Sequence, residues 1–565
     1  MRRRDFLKRL PVLGAIPFTL DGILFNTMSN AAPLQKLAAL CNNDRVLIIL
    51  QLHGGNDGLN MIIPAASHYN LYYNRRPNIA IAESGPRGMK ILDSTLPEAQ
   101  QVGLHPDMTG VKDLYDQGKV SLVQGVSYEN HNGSHFRSRD IFFMGGGAGD
   151  YINSGWIGRY LKDHYAPLSY PDDFPNTNMP DPLALEFGND VSLIFHQGDN
   201  ISTSISIDNP QQFFDLVNSL PGFEDIEGLD PRGVPPESLA NSPYGKEMDW
   251  ILSLEQKTDQ YDDRLIEVYN EGKKFDPGIT YPTTYPLNAP KSVLNNPIAG
   301  PLKIIANLLS GGCKTKVFLV KIGGFDTHAE QVEDYDTSMG NHAALLYHIS
   351  AAMNAFHKDL KARGLEDRVL TITTSEFGRR VHSNASYGTD HGVGAPAMIF
   401  GKYVNPGVLG NNPDLMKDNV EMQYDYRQLY ATILKEWFCV DPAKVDAEFG
   451  IFWGDYQGRG TTLPLISTSV AGINEFMERR FRMNSCYPNP AINETTFSFF
   501  INNNVHVELN ILNAHGKIVK RILNEPRSMG EHSILADLRD LKTGTYFYEI
   551  KAGILKDTKK LIIVR

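Results

Sequence analysis

Hydrophobic positions along the chain fall into two textures. Between about residues 43 and 460, largely apolar runs recur at Val46–Leu50, Val120–Gln124, Leu183–Glu186, Lys316–Ile322, Val369–Thr373 and Ala397–Phe400. Such runs predict strands buried on both faces. Among them, Lys246–Tyr269, Leu302–Leu309 and Ala343–Leu360 space apolar residues by three and four, the period of a helix with one buried stripe. Strands alternating with helices predict an α/β domain with a mostly parallel, helix-covered sheet. No internal repeat is visible. The stretch from Asn200 to Asp276, carrying prolines and acidic residues, reads as an insertion that shapes access to a site.

From about Asn484 the period changes to two, with Val505, Val507, Leu509 and Ile511 alternating before a turn at Asn513-Ala514-His515-Gly516. Further strand-like runs cover Ser533–Leu538, Thr545–Ile550 and Lys560–Val564, with Gly516, Gly530, Gly544 and Gly553 between them. This predicts a small antiparallel β-sandwich of about seven strands or fewer. The expected organisation is a leader at 1–31, an α/β domain at 40–460, a linker at 461–483 and the β-module at 484–565.

The leader changes the picture of where the protein works. Arg3-Arg4-Asp5-Phe6-Leu7-Lys8 matches the twin-arginine pattern RRxFLK, and an apolar stretch at Leu10–Leu20 follows. That stretch is broken by Pro11, Gly14 and Pro17 and is too short to span a bilayer, which needs roughly 20 apolar residues. Ser29 and Ala31 supply a small-x-small cleavage site. The alternative is an amphipathic helix belonging to the folded protein. Twin-arginine export carries folded proteins, which favours a metal loaded before export. No later stretch reads as a transmembrane helix.

Composition is ordinary for a globular chain of 565 residues, with 42% hydrophobic and 21% charged residues. The net charge of −11 argues against a nucleic-acid surface, which needs a basic stripe. Cys41, Cys313, Cys439 and Cys486 form no CxxC pair, so a zinc-thiolate site is not expected, while one or two isolated bridges remain open.

Chemistry gathers after the predicted strands: His53-Gly54-Gly55-Asn56-Asp57-Gly58, Gly323-Gly324-Phe325-Asp326-Thr327-His328, Ser375-Glu376-Phe377-Gly378 and Gly388-Thr389-Asp390-His391-Gly392. In open α/β sheets such positions converge at the carboxyl ends of the strands. Singly, each segment is an ordinary turn. Together, their Asp, Glu and His donors suit a divalent metal such as Zn, Mn or Ca, against the alternative of an unmetallated polar crevice.

The order of these motifs resembles the alkaline phosphatase and sulfatase superfamily. More closely, Leu52–Gly58, Ser134-His135-Phe136, Gly324–His328, Ser375–Arg379 and Gly388–Gly392 resemble the family called domain of unknown function fifteen-oh-one. Tyr487-Pro488-Asn489-Pro490, Asn513–Lys517, Leu541–Tyr546 and Lys559–Val564 resemble the type IX secretion C-terminal sorting domain, the alternative for that module being a carbohydrate-binding or adhesive Ig-like domain. The first resemblance implies that Asp57 and Glu376 serve one metal while Asp326, His328 and His391 serve a second. The chain departs from the superfamily by carrying Glu376-Phe377 where Asp-His is expected, and by spacing Asp326 and His328 two residues apart. Asp390 is an extra carboxylate able to compensate.

Ser134, before a plausible helix start and flanked by His131 and His135, is the nucleophile candidate, with helix capping as its ordinary role. Arg137, Arg379 and Arg380 are candidates for holding an anionic substrate, or else surface arginines. The expectation is an exported metal-dependent hydrolase of phosphate or sulfate esters. The rivals are a non-catalytic binding or scaffold protein and an adhesin. Its partners would be an anionic ester and the export and type IX secretion machinery, and its location the cell surface or extracellular space.

Overall fold

The computed structural model describes residues 18–20, 23–25, 44–188, 191–198, 201–207, 261, 263–450, 461–466, 481–502, 504–553 and 555–564. The twin-arginine motif and cleavage site lie outside the described residues, as does most of the insertion at 200–276. Within the expected leader, Phe18–Leu20 and Ile23–Phe25 pair antiparallel.

The first apolar run becomes β1 (Val46–Leu52), and the others become β2 (Val120–Ser127), β3 (Ala184–Phe187), β5 (Val317–Ile322), β6 (Val369–Thr374) and β7 (Ala395–Phe400). Three short strands add to them: β4 (Ser204–Ile207), β8 (Gly407–Leu409) and β9 (Tyr424–Asp425). They form one nine-stranded sheet of order β8-β2-β7-β6-β1-β5-β3-β4, with β9 also on β2. Neighbours pair parallel throughout except at β7, which runs antiparallel to both β6 and β2. A largely apolar run reports burial on both faces but not direction, so this one reversed strand was not legible.

Helices cover both faces. They are α1 (Tyr69–Arg75), α2 (Thr109–Asp116), α3 (His135–Met144), α4 (Trp156–Tyr165), α5 (Ala299–Ser310), α6 (Asn341–Ala362) and α7 (Tyr426–Thr432). Strand side chains alternate between faces. In β1, Val46, Ile48, Leu50 and Leu52 join the core under α2, α5 and α6. Leu47 and Ile49 join the core under α3, α4 and α7. The helix expected at Lys246–Tyr269 is described only near its end, where residues 263–273 are helical.

Among the described residues the C-terminal module has seven strands: β10 (Phe481–Met483), β11 (Glu494–Ile501), β12 (Val505–Leu512), β13 (Ile518–Arg527), β14 (Gly530–Asp537), β15 (Gly544–Ala552) and β16 (Leu555–Ile563). They form antiparallel sheets β10-β11-β14 and β13-β12-β15-β16. Phe497, Phe499, Val507, Leu509, Ile511, Tyr548, Ile550 and Leu561 fill the module's own core. Cys439 is disulfide-bonded, whereas Cys313 and Cys486 are free and buried. Among the described residues no helix is long and apolar enough to cross a membrane.

Candidate metal centre

Because β1, β2, β5 and β6 point the same way, the segments that follow them emerge at one edge of the sheet. Gly54, Gly378 and Gly388 let these segments touch. A Cβ on Gly54 would stand 2.3 Å from the Asp326 amide nitrogen, and one on Gly378 would stand 1.9 Å from the Gly394 oxygen. Only glycine permits that approach.

At this edge three imidazoles surround one carboxylate oxygen. Asp326 Oδ1 lies 3.3 Å from His328 Nε2 and 3.5 Å from both His391 Nε2 and His135 Nε2. The donor atoms of His135, Asp326 and His391 all fall within 4.8 Å of one another. The other nitrogen of each ring faces an oxygen: His135 Nδ1 meets Glu376 Oε1 at 2.9 Å, His391 Nδ1 meets the Gly133 carbonyl at 2.9 Å, and His328 Nδ1 meets Asp390 Oδ1 at 3.5 Å. An acceptor at Nδ1 places the proton there and leaves the Nε2 lone pair for the centre, as in metal-binding histidines.

The donor set fits a small divalent ion. Ligands about 2.0–2.1 Å from a tetrahedral ion lie roughly 3.3–3.5 Å from one another. The three carboxylate–imidazole separations match that edge. His328 Nε2 and His391 Nε2 are closer, at 2.8 Å. Two lone pairs that near one another need a proton or a cation between them. His135 Nε2 and Glu376 Oε2 are buried without a hydrogen-bond partner, a costly state for polar atoms unless something else meets them.

Electrostatics act in the same direction. Partial burial opposes ionisation of Asp326, but the Arg379 hydrogen bond and charge, with His135 and His328, hold the carboxyl below its usual range. Burial, aided by the Arg379 charge, lowers His391, which favours the neutral ligand form. The Asn384 hydrogen bond, with His328, lowers Asp390. Phe377 packs its ring 4.7 Å from His135 and 4.6 Å from His391, forming an apolar floor where the superfamily pattern calls for a histidine.

Sequence-expected residues fare differently. Asp326, His328 and His391 come together, with Asp390 behind His328. Glu376 sits at the centre but supports His135 and accepts the Gly54 amide at 2.7 Å. Asp57 is wholly buried, and its oxygens accept Arg76 Nη1 at 2.8 and 2.6 Å and Gln331 Nε2 at 2.6 Å. Its pairing with Glu376 around an ion is not what these contacts describe, since a guanidinium stands at its oxygens.

Ser134 is exposed at the N-cap of α3, and its side chain makes no capping bond. Arg137 turns to the Ala148 carbonyl at 2.9 Å and the Asp150 carbonyl, and stacks 3.9 Å over Tyr151. Arg379 is buried and spends its donors on backbone carbonyls and Asp326. Arg380 is the exposed arginine of the pair, and its charge reaches Asp390. His135 is the donor that sequence reasoning missed as a ligand. Its signal was the pair of histidines flanking Ser134 in a loop after an apolar strand.

The architecture is thus that of an α/β protein with a His/Asp metal-type donor cluster at its strand ends, followed in the chain by a β-sandwich. Residues 305–453 match the family described as protein of unknown function (DUF1501), and residues 485–564 match the secretion system C-terminal sorting domain. The chain carries both. The sorting domain marks it for export to the cell surface or extracellular space.

No curated protein matches the chain. Among solved structures, it is similar to a protein in the alkaline phosphatase superfamily from Vibrio parahaemolyticus, at 12% identity, 85% coverage of each chain and a TM-score of 0.32. The PsFucS1 sulfatase from Pseudoalteromonas sp. is similar at 10% identity, over 91% of this chain and 89% of that one, with a TM-score of 0.32. The phosphonate monoester hydrolase SpPMH from Silicibacter pomeroyi is similar at 12% identity, over 92% and 89%, with a TM-score of 0.27. The fold assignment rests on the strand order and directions described above.

Proposed function

We propose that this protein is an exported, metal-dependent hydrolase of phosphate or sulfate esters, built on a single cation held by His135, Asp326 and His391 with His328 as the fourth donor. The observation that carries this reading is the convergence of three Nε2 atoms within 3.5 Å of Asp326 Oδ1 while each Nδ1 faces an oxygen. A bound divalent ion supplies Lewis acidity at the ester oxygen and lowers the pKa of a nearby hydroxyl or water.

The chain's own residues do the rest. Glu376, the Gly133 carbonyl and Asp390 keep the imidazoles oriented. Ser134, in sequence between Gly133, whose carbonyl holds His391, and the ligand His135, would supply the attacking hydroxyl. The first-turn amides of α3, which no side chain caps, favour negative charge at that point. Exposed Arg380 is the arginine available to a phosphate or sulfate group.

A second reading, a non-catalytic surface scaffold, draws on Asp57, whose pairing with Arg76 leaves no second acidic ligand pair of the expected kind. The two readings separate in one experiment on purified full-length protein. Metal content and turnover of aryl phosphate and aryl sulfate are measured for wild type, His135→Ala and Ser134→Ala after loading with zinc, manganese or calcium. The hydrolase reading expects metal and turnover in wild type, loss of both in His135→Ala, and loss of turnover alone in Ser134→Ala. Bound metal with no ester turned over would leave the scaffold.

A further inference from the structure

We infer that Arg379 is the positioning residue of this centre: its buried guanidinium fixes Asp326 in the orientation that faces the three imidazoles and binds together the loops that bring them. The inference rests on the metal reading above. The side chain is 0% exposed, whereas Asp326 is 50% exposed. Nε donates to the Gly55 carbonyl at 2.7 Å and Nη1 to the Thr389 carbonyl at 3.0 Å. Nη2 donates to Asp326 Oδ1 at 2.6 Å, to the Phe325 carbonyl at 3.2 Å and to the Gly54 carbonyl.

One side chain therefore spans the segment after β6, the loops after β1 and β5, and the stretch two residues before His391. A half-exposed carboxylate free of such a partner would sample several rotamers and spend most of its time in water. The guanidinium holds the one oxygen that all three imidazoles approach. The bond is a charge-assisted one, short and directional, at 2.6 Å.

Lysine cannot take over this task. Its ammonium is a point charge with three donors and no planar fork, so it cannot serve Gly55, Thr389 and Asp326 from one position. The simpler alternative is a strut that stabilises the loops with no bearing on the ion. The alternatives differ in whether the effect of Arg379 passes through Asp326.

The test is a double-mutant cycle on the full-length protein, read as dissociation constants by chelator competition, using whichever of zinc, manganese and calcium the wild type holds. Arg379→Lys and Arg379→Gln are each made with Asp326 intact and with Asp326→Asn. Loss of an outer partner of a metal ligand typically costs 10–100-fold in affinity. We expect a loss of about that size with Asp326 intact, and no further loss in the Asp326→Asn background. Equal losses in both backgrounds, or unchanged affinity, would overturn the inference while leaving the metal reading in place. A wild type that holds none of the three metals would overturn both.

Should neither variant fold, the same question is put to the wild type labelled with ¹⁵N-arginine. Metal loading is expected to shift the Arg379 Nε–H resonance, and an unmoved resonance counts against the inference.

Discussion

His135 Nδ1 and Glu376 Oε1 meet at 2.9 Å although 241 residues separate them in the chain. The bond decides which nitrogen of His135 faces Asp326. Glu376→Gln keeps an acceptor for the Gly54 amide and removes the charge that holds the imidazole. Metal affinity should fall about tenfold, and in Glu376→Ala about 100-fold, with the fold retained. Isothermal titration with the metal, beside a circular dichroism spectrum, checks both halves of the expectation.

Asp57 and Arg76 form an ion pair at 2.6 Å with neither side chain exposed. Burial opposes ionisation of Asp57, yet Arg76 and His342, with the hydrogen bonds from Arg76 and Gln331, hold its carboxyl below the usual range. Removing one partner strands the other, at about 3–5 kcal/mol. Asp57→Asn should lower stability by an amount of that order in urea unfolding and leave the metal content at one equivalent. A variant that lost its metal while remaining folded would restore Asp57 as a ligand.

Acid should weaken the α/β domain before its carboxylates titrate. On α6, burial lowers His342 to about 4 and His357 to about 3, with the Arg76 and Lys119 charges respectively adding to it. Both are neutral in the fold and titrate near 6.5 when unfolded. Their stabilising share is whole above pH 6.5 and is lost as pH falls toward 4 and then 3, since the unfolded chain takes up the protons first. Both ring nitrogens of His357 also lack a partner. His357→Leu should therefore raise stability by about 1–3 kcal/mol at pH 5 and flatten the acid limb. Thermal melts from pH 4 to 8 would show no such flattening if the ring were water-paired.

Ser134 occupies an N-cap without making the capping bond. An N-cap serine that does its usual work costs about 0.5–2 kcal/mol when replaced by alanine. Here Ser134→Ala should change stability by less than about 0.5 kcal/mol while removing ester turnover. A large loss of stability with turnover intact would return the residue to a capping role.

The sequence was most legible where burial is two-sided. β1 and β5 are runs in which all but one position is apolar, because helices cover both faces. α3 was legible only as a helix start after Ser134, not in its extent or its inward face. Its buried side is Ser138, Ile141, Phe142, Phe143 and Met144, clustered at one end, while Arg137, Arg139 and Asp140 interrupt the apolar stripe. Consequently His135 was seen as a neighbour of Ser134 and not as a donor. Arg379 looked like a substrate contact because an arginine after a glycine in a loop is usually in water. Only the close approach of the Gly54, Phe325 and Thr389 carbonyls, from far apart in the chain, makes its burial affordable.

The reversed strand β7 has a mechanical corollary. Since β6 and β7 are antiparallel neighbours, the chain leaves and re-enters the sheet at the same edge, and residues 375–394 form one arm, cross-bonded between its two sides, with no crossover to the far side. Glu376, Arg379, Asp390 and His391 all ride on it. The tip around Ala385–Tyr387 is exposed, and its Ser386 and Tyr387 carbonyls accept the Glu330 and Gln331 amides at 2.9 and 2.8 Å. Descendants of this chain could thus remodel the mouth of the centre, or blunt it, by editing a single cassette while the sheet beneath stays as it is.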